Sequence, residues 1–92
     1  PNQMFEKFLI YFEQSSSFRN AEYKLKFILD ILDRPLETSE INRILKVALS
    51  NEQILFSYGC KEWIIEQIKQ NKELDRELIK EFKNEDFCTF IR

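Results

Sequence analysis

An all-α fold is predicted by three features of this 92-residue sequence: apolar residues recurring at helical spacing, a single glycine, and only two prolines. Apolar side chains at i, i+3, i+4 and i+7 fall on one face of a helix, whereas a β-rich chain needs turn residues that this composition does not supply. The elements that follow are a five-helix bundle or a short α-helical-repeat (α-solenoid-like) segment, with helices near 2–14, 18–34, 38–49, 51–70 and 72–83.

The first helix rests on Phe5, Phe8, Leu9 and Phe12, with Asn2 available as a cap. Ser15, Ser16 and Ser17 then compete with the backbone for hydrogen bonds and favour a turn. Leu25, Ile28, Leu29 and Leu32 form the stripe of the second helix, widened by Phe27 and Ile31, and Pro35 disfavours helix at Arg34. So wide an apolar face predicts a central position. Thr38 or Ser39 can cap a third helix carrying Ile41, Ile44, Leu45 and Ala48. Ser50 with Gln53 has the spacing of a capping box for the fourth. Gly59 is expected to end a short helix or allow a kink between Ser57 and Lys61, because an internal glycine costs about 1 kcal/mol relative to alanine. Trp63, Ile64, Ile65 and Ile68 follow on one stripe, and Leu74, Leu78, Ile79 and Phe82 define the last clear helix. In the tail, Phe87, Phe90 and Ile91 would be costly to leave in water, so it is expected to fold back or to continue into a further element.

An internal period accompanies this pattern. Phe5, Phe8, Leu9 and Phe12 are matched 36 positions later by Ile41, Ile44, Leu45 and Ala48, and Phe27, Ile28, Leu29 and Leu32 by Trp63, Ile64, Ile65 and Ile68. Ile41 and Leu45 are matched again, one position further along, by Leu78 and Phe82. Either the chain holds two and a half helical-repeat units, or antiparallel helices of similar length share this register by coincidence.

Composition bounds the function. Apolar residues at 43% and charged residues at 33% describe one folded domain over residues 1–92, and Pro1 in place of an initiator Met suggests a piece of a larger protein. A net charge of −2 from interleaved acids and bases offers no basic field to nucleic acid. No apolar run is long enough for a membrane span. Cys60 and Cys88 are too few for a disulfide framework and read as reduced thiols of an intracellular protein. The absence of histidine excludes Ser-His-Asp and Cys-His sites, and one glycine excludes phosphate-cradling loops. Glu62 with Glu66, and Glu73, Glu77 and Glu81, align on helix faces, but Lys72, Arg76 and Lys80 interleave with the latter row as on a solvated face. The chain is therefore expected to be non-catalytic, with no cofactor, metal or small-molecule substrate.

Ser57-Tyr58-Gly59-Cys60-Lys61 resembles the opening residues of a Pumilio-type RNA-binding repeat, which would imply base reading by a side chain four positions beyond Cys60; apolar Ile64 stands there. Residues 54–83 are similar to the last helices of the transcription-elongation-factor N-terminal domain, a peptide-docking bundle, with a shorter connecting segment. Neither likeness spans half of the chain with specific motifs, and neither assigns a family.

The positive signal is a surplus of aromatic residues: nine Phe, three Tyr and one Trp. Tyr11, Phe18, Tyr23, Phe56, Phe87 and Phe90 lie at or beyond the stripe edges, where they either cover loops and bundle ends or form an interface patch. The expected function is protein–protein interaction or scaffolding, with a peptide or helix in an apolar inter-helix groove and Phe18, Tyr23, Phe56, Tyr58 and Phe90 as candidate contacts. The partner would be another protein or the rest of its own chain. Two alternatives remain: a single-stranded nucleic-acid binder using Lys24, Lys26, Arg34, Arg43 and Lys46 on phosphates, and a purely structural piece of a longer solenoid.

Overall fold

The stripes of apolar residues become six helices in the computed structural model, which describes residues 2–84: α1 (Asn2–Glu13), α2 (Phe18–Ile31), α3 (Thr38–Leu49), α4 (Glu52–Leu55), α5 (Tyr58–Gln70) and α6 (Arg76–Asn84). No strand occurs among the described residues. The count is six rather than the five expected, because the 51–70 segment divides at Phe56 and Ser57 and not at the glycine. Phe56 closes α4, and Ser57 turns extended to lead into α5.

Gly59 is the second residue of α5. Its role is close approach: a Cβ there would run into the side chain of Glu22 from α2. The glycine therefore marks where the flexible Glu22 arm of α2 crosses α5, and it neither ends nor kinks a helix as its sequence position suggests.

Local chemistry sets the other boundaries. Ser17 caps α2 by accepting from the Asn20 N–H at 3.0 Å, while the Asn20 side chain accepts from the Ser16 N–H at 3.1 Å. α2 stops at Ile31, three residues short of the expected end, because Leu32 turns extended. The Ser50 hydroxyl donates back to the Val47 carbonyl and finishes α3, so Asn51, not Ser50, caps the next helix, accepting from the Gln53 N–H at 2.8 Å. α6 begins four residues later than expected, since Asn71 and Asp75 each accept from the N–H two residues ahead and hold a turn around buried Leu74. At the other end, Asn2 is the first residue of α1 and not a cap outside it.

α1 and α3 lie side by side in the same direction, because contacts between them advance together. Glu6 meets Arg43 in a bidentate ion pair, and about two α1 turns later the Asn51 side chain donates to the Glu13 carbonyl at 2.9 Å and the Ser15 carbonyl at 3.2 Å. α2 and α5 are related alike: Glu22 meets Gly59, and further along Leu29 and Leu32 share a cleft with Trp63 and Gln67. α6 packs on α3, with the Asp75 N–H donating to the Asn42 side chain at 2.9 Å. The α1 stripe of Phe5, Phe8, Leu9 and Phe12 and the α3 stripe of Ile41, Ile44, Leu45 and Ala48 are both fully buried. Each large apolar side chain so buried stabilises the fold by about 1.5–3 kcal/mol.

Between the two pairs, Glu40 is buried and accepts from both guanidinium nitrogens of Arg34 at 2.7 Å and from the Glu37 N–H at 2.9 Å. The Arg34 hydrogen bonds hold its carboxyl below the usual 4.5 against the opposing effect of burial. A carboxyl whose folded value is depressed contributes stability that is complete above the unfolded value and is lost as pH falls through the folded one. Glu40→Gln is expected to cost about 2 kcal/mol at pH 7 and to flatten the loss of stability as pH falls below the usual carboxylate value, read by urea unfolding at each pH. An unchanged acid limb would remove this role from Glu40.

Candidate functional site

Antiparallel α1 and α2 do not close over their own apolar surface. Helix α2 is wide enough to bury Ala21, Leu25 and Ile28 against its neighbours and still present Phe27 and Ile31 on a second face. α1 does the same with Met4 and Tyr11 at i and i+7. These four side chains are 46%, 41%, 49% and 46% exposed respectively, and they border a groove of about 610 Å³ whose floor is buried Phe8 and Ile28. Among the described residues, Lys7 is the one charged side chain lining it. At the Tyr11 end the groove is backed by Lys24, whose ammonium lies 4.0 Å from the ring centre of Tyr11 and donates to the Tyr11 carbonyl at 2.8 Å. Burial pulls the Lys24 pKa down from 10.5, and the carbonyl and ring are what its charge meets in place of water.

The predicted contact residues divide. Phe18, Tyr23, Phe56 and Tyr58 are all exposed, Tyr58 the most at 74%. The structure brings together Phe56 and Tyr58, which line a cleft of about 490 Å³ along α5 with Lys61, Ile65 and Lys69. Phe18 and Tyr23 stand apart from it on α2, five residues from one another and thus on different faces, although Tyr23 shares a helix row with Phe27 and Ile31. Phe90 lies outside the described residues, as do Phe87, Cys88 and Ile91.

Met4, Lys7, Phe27 and Ile31 were missed as site residues. Their signal was present as the row Tyr23, Phe27, Ile31, offset from the core row Ala21, Leu25, Ile28, but the apolar width of α2 was assigned wholly to the core.

Of the cations suited to phosphates, Lys24 is buried, Arg34 is paired with Glu40, Arg43 with Glu6, and Lys26 lies 3.6 Å from Glu22. Four of those five charges are thus answered within the chain, which leaves little to release counterions from a nucleic acid.

Glu62, Glu66, Glu73, Glu77 and Glu81 are exposed, and among the described residues no three carboxylate or thiol groups converge on a point that could hold a metal ion. Among the same residues, no helix is long and apolar enough to cross a membrane. Comparison with family models, curated proteins and solved structures gives no match.

Cys60 is buried in the first turn of α5, and burial pushes its thiol up to about 11; Ser57 opposes the shift and the charge of Glu22 adds to it. The helix N-terminus does not offset this. In a Cys88→Ser background, an aromatic disulfide reagent at pH 8 is expected to label Cys60 at least about 100-fold more slowly in the folded protein than in urea, as the thiolate fraction falls about ten-fold per unit of pKa. Equal rates would place the thiol at the surface.

Proposed function

We propose that this chain is a non-catalytic docking module whose α1–α2 groove receives an apolar helical segment of another protein, with an acidic residue of that segment set against Lys7. The observation that carries this reading is the grouping of Met4, Tyr11, Phe27 and Ile31, half-exposed around a buried aromatic and aliphatic floor. Large, stiff side chains of this kind remove much area from water at small entropic cost, and the groove volume is in the range that admits several side chains. Lys7 supplies register, because a cation at an apolar rim selects partners by charge more than it adds affinity. The Phe56–Tyr58 cleft has four charged side chains, Lys61, Glu62, Glu66 and Lys69, along it, so it ranks second as a docking surface for an apolar segment.

A photo-reactive phenylalanine analogue at Tyr11 or Phe27 is expected to cross-link to an apolar helical segment of a partner in cells, while the same group at exposed Lys72 or Lys80 is not. Phe27→Ser should weaken capture from position 11 by about ten-fold or more and change unfolding stability by no more than about 1 kcal/mol. Equal capture from Lys72, or capture indifferent to Phe27→Ser, contradicts the reading.

A further inference from the structure

The groove has a counterpart inside the molecule. Shifting its lining by the 36-residue period takes Met4 to Glu40, Lys7 to Arg43, Tyr11 to Val47, Phe27 to Trp63 and Ile31 to Gln67, and takes the floor residues Phe8 and Ile28 to Ile44 and Ile64. Those shifted positions form the face by which α3 and α5 rest on α1 and α2. Arg43 pairs with Glu6 and lies over the ring of Phe5, and Val47 shares a cleft with Leu9 and Ile10. Trp63 and Gln67 share another with Leu29 and Leu32, Glu40 holds Arg34 of the α2–α3 connection, and Ile44 and Ile64 are buried. The exposed groove of one helix pair therefore occupies the same positions, one period earlier, as a partly covered face of the next, in which Glu40, Ile44 and Ile64 are buried and Val47, Trp63 and Gln67 half-buried.

Resting on the docking reading above, we propose that the occupant of the groove is a pair of antiparallel helices carried by a partner protein, stacked on α1–α2 as α1–α2 is stacked on α3–α5. A lone helix would cover one wall; the existing interface is made by both helices of a pair. Charge complementarity fixes the partner's chemistry. Where Glu6 of α1 meets Arg43, the occupant presents a carboxylate to Lys7, and its remaining contact is an apolar stripe at i, i+3, i+4 and i+7. A second copy of this chain would bring the α5 cleft, where Lys61 and Lys69 stand beside Glu62 and Glu66, and is separated from the proposed partner by its concentration dependence. The outer face of α1–α2 is apolar where an exposed face of a helical stack is ordinarily polar, which favours a cover for it.

The inference is testable without knowing the partner, by using the chain's own first period as the probe. One extra copy of residues 1–36 is placed directly ahead of the full chain, so that the added Glu6 falls against Lys7 at the spacing that now sets Glu6 against Arg43. Unfolding is expected to stay a single transition, with Tm raised by roughly 10 °C. Lys7→Glu in the original unit should remove part of that rise, and Glu6→Lys in the added unit should return it, whereas Lys7→Glu in the 92-residue chain changes Tm little. A separate low-temperature transition for the added pair, or a rise indifferent to the charge exchange, overturns the proposal. So does concentration-dependent dimerisation of the unextended chain that Met4→Ser abolishes, because the occupant would then be a second copy. If the added pair fails to stack while groove cross-linking to a single helix or an extended peptide persists, the docking reading stands and this inference alone falls; if cross-linking fails as well, both fall.

Discussion

The parallel packing of α1 against α3 is the contact from which the rest of the structure follows. Two helices that run in the same direction cannot be joined by a short turn, so α2 must return the chain between them, and that return sets the period. Side by side, α1 and α3 bury equivalent stripes, and polar contacts pin the register at two levels: Glu6 with Arg43 on the middle turns, and Asn51 on the last carbonyls of α1. With that register fixed, α5 is carried onto α2 as α3 is onto α1, and the Glu22 arm of α2 crosses α5 at Gly59. α6 then begins on α3 where a third member of the α1 and α3 series belongs.

This geometry explains why apolar surface remains exposed on a chain with a well-filled interior. A helix in such a series has two flanks, one toward the following unit and one toward the preceding position. In α3 the flank facing α1 is partly covered: Arg43 is exposed but pairs with Glu6, and half-buried Val47 borders a cleft with Leu9 and Ile10. In α1 the matching flank carries Met4, Lys7 and Tyr11 and is open to solvent. The α1–α2 groove is thus not a separate feature grafted onto the helices but the same kind of packing surface facing outward.

Much of the fold was legible because its determinants are local. Stripes at i, i+3, i+4 and i+7 gave five helical regions, and the serines at 15–17 turn the chain as expected, with Ser17 capping α2. The exchange of Ser50 for Asn51 as cap was not legible, because both residues are good caps and the choice depends on Asn51 also reaching the end of α1. Gly59 misled for a similar reason: its use is a tertiary approach by Glu22, which no local pattern encodes. The site was only half legible. Exposure of Phe18, Tyr23, Phe56 and Tyr58 follows from their places off the stripes, but which rings meet depends on how α1 pairs with α2. Phe27 and Ile31 looked like core because a two-flanked helix and a deeply buried one have the same apolar width. The 36-residue echo was the signal that could have separated these cases.

We propose that α1–α2 and α3–α5 behave as successive units of one stack. Native-state hydrogen exchange of the amides, residue by residue, tests it most directly, because in a stack each unit is held by its neighbours and an end unit opens more cheaply than an inner one. The account expects α3, covered by both α1 and α6, to exchange only through global unfolding, and α1 and α2 to open together at lower free energy. Greatest protection in α1, or opening of α1 without α2, would contradict it.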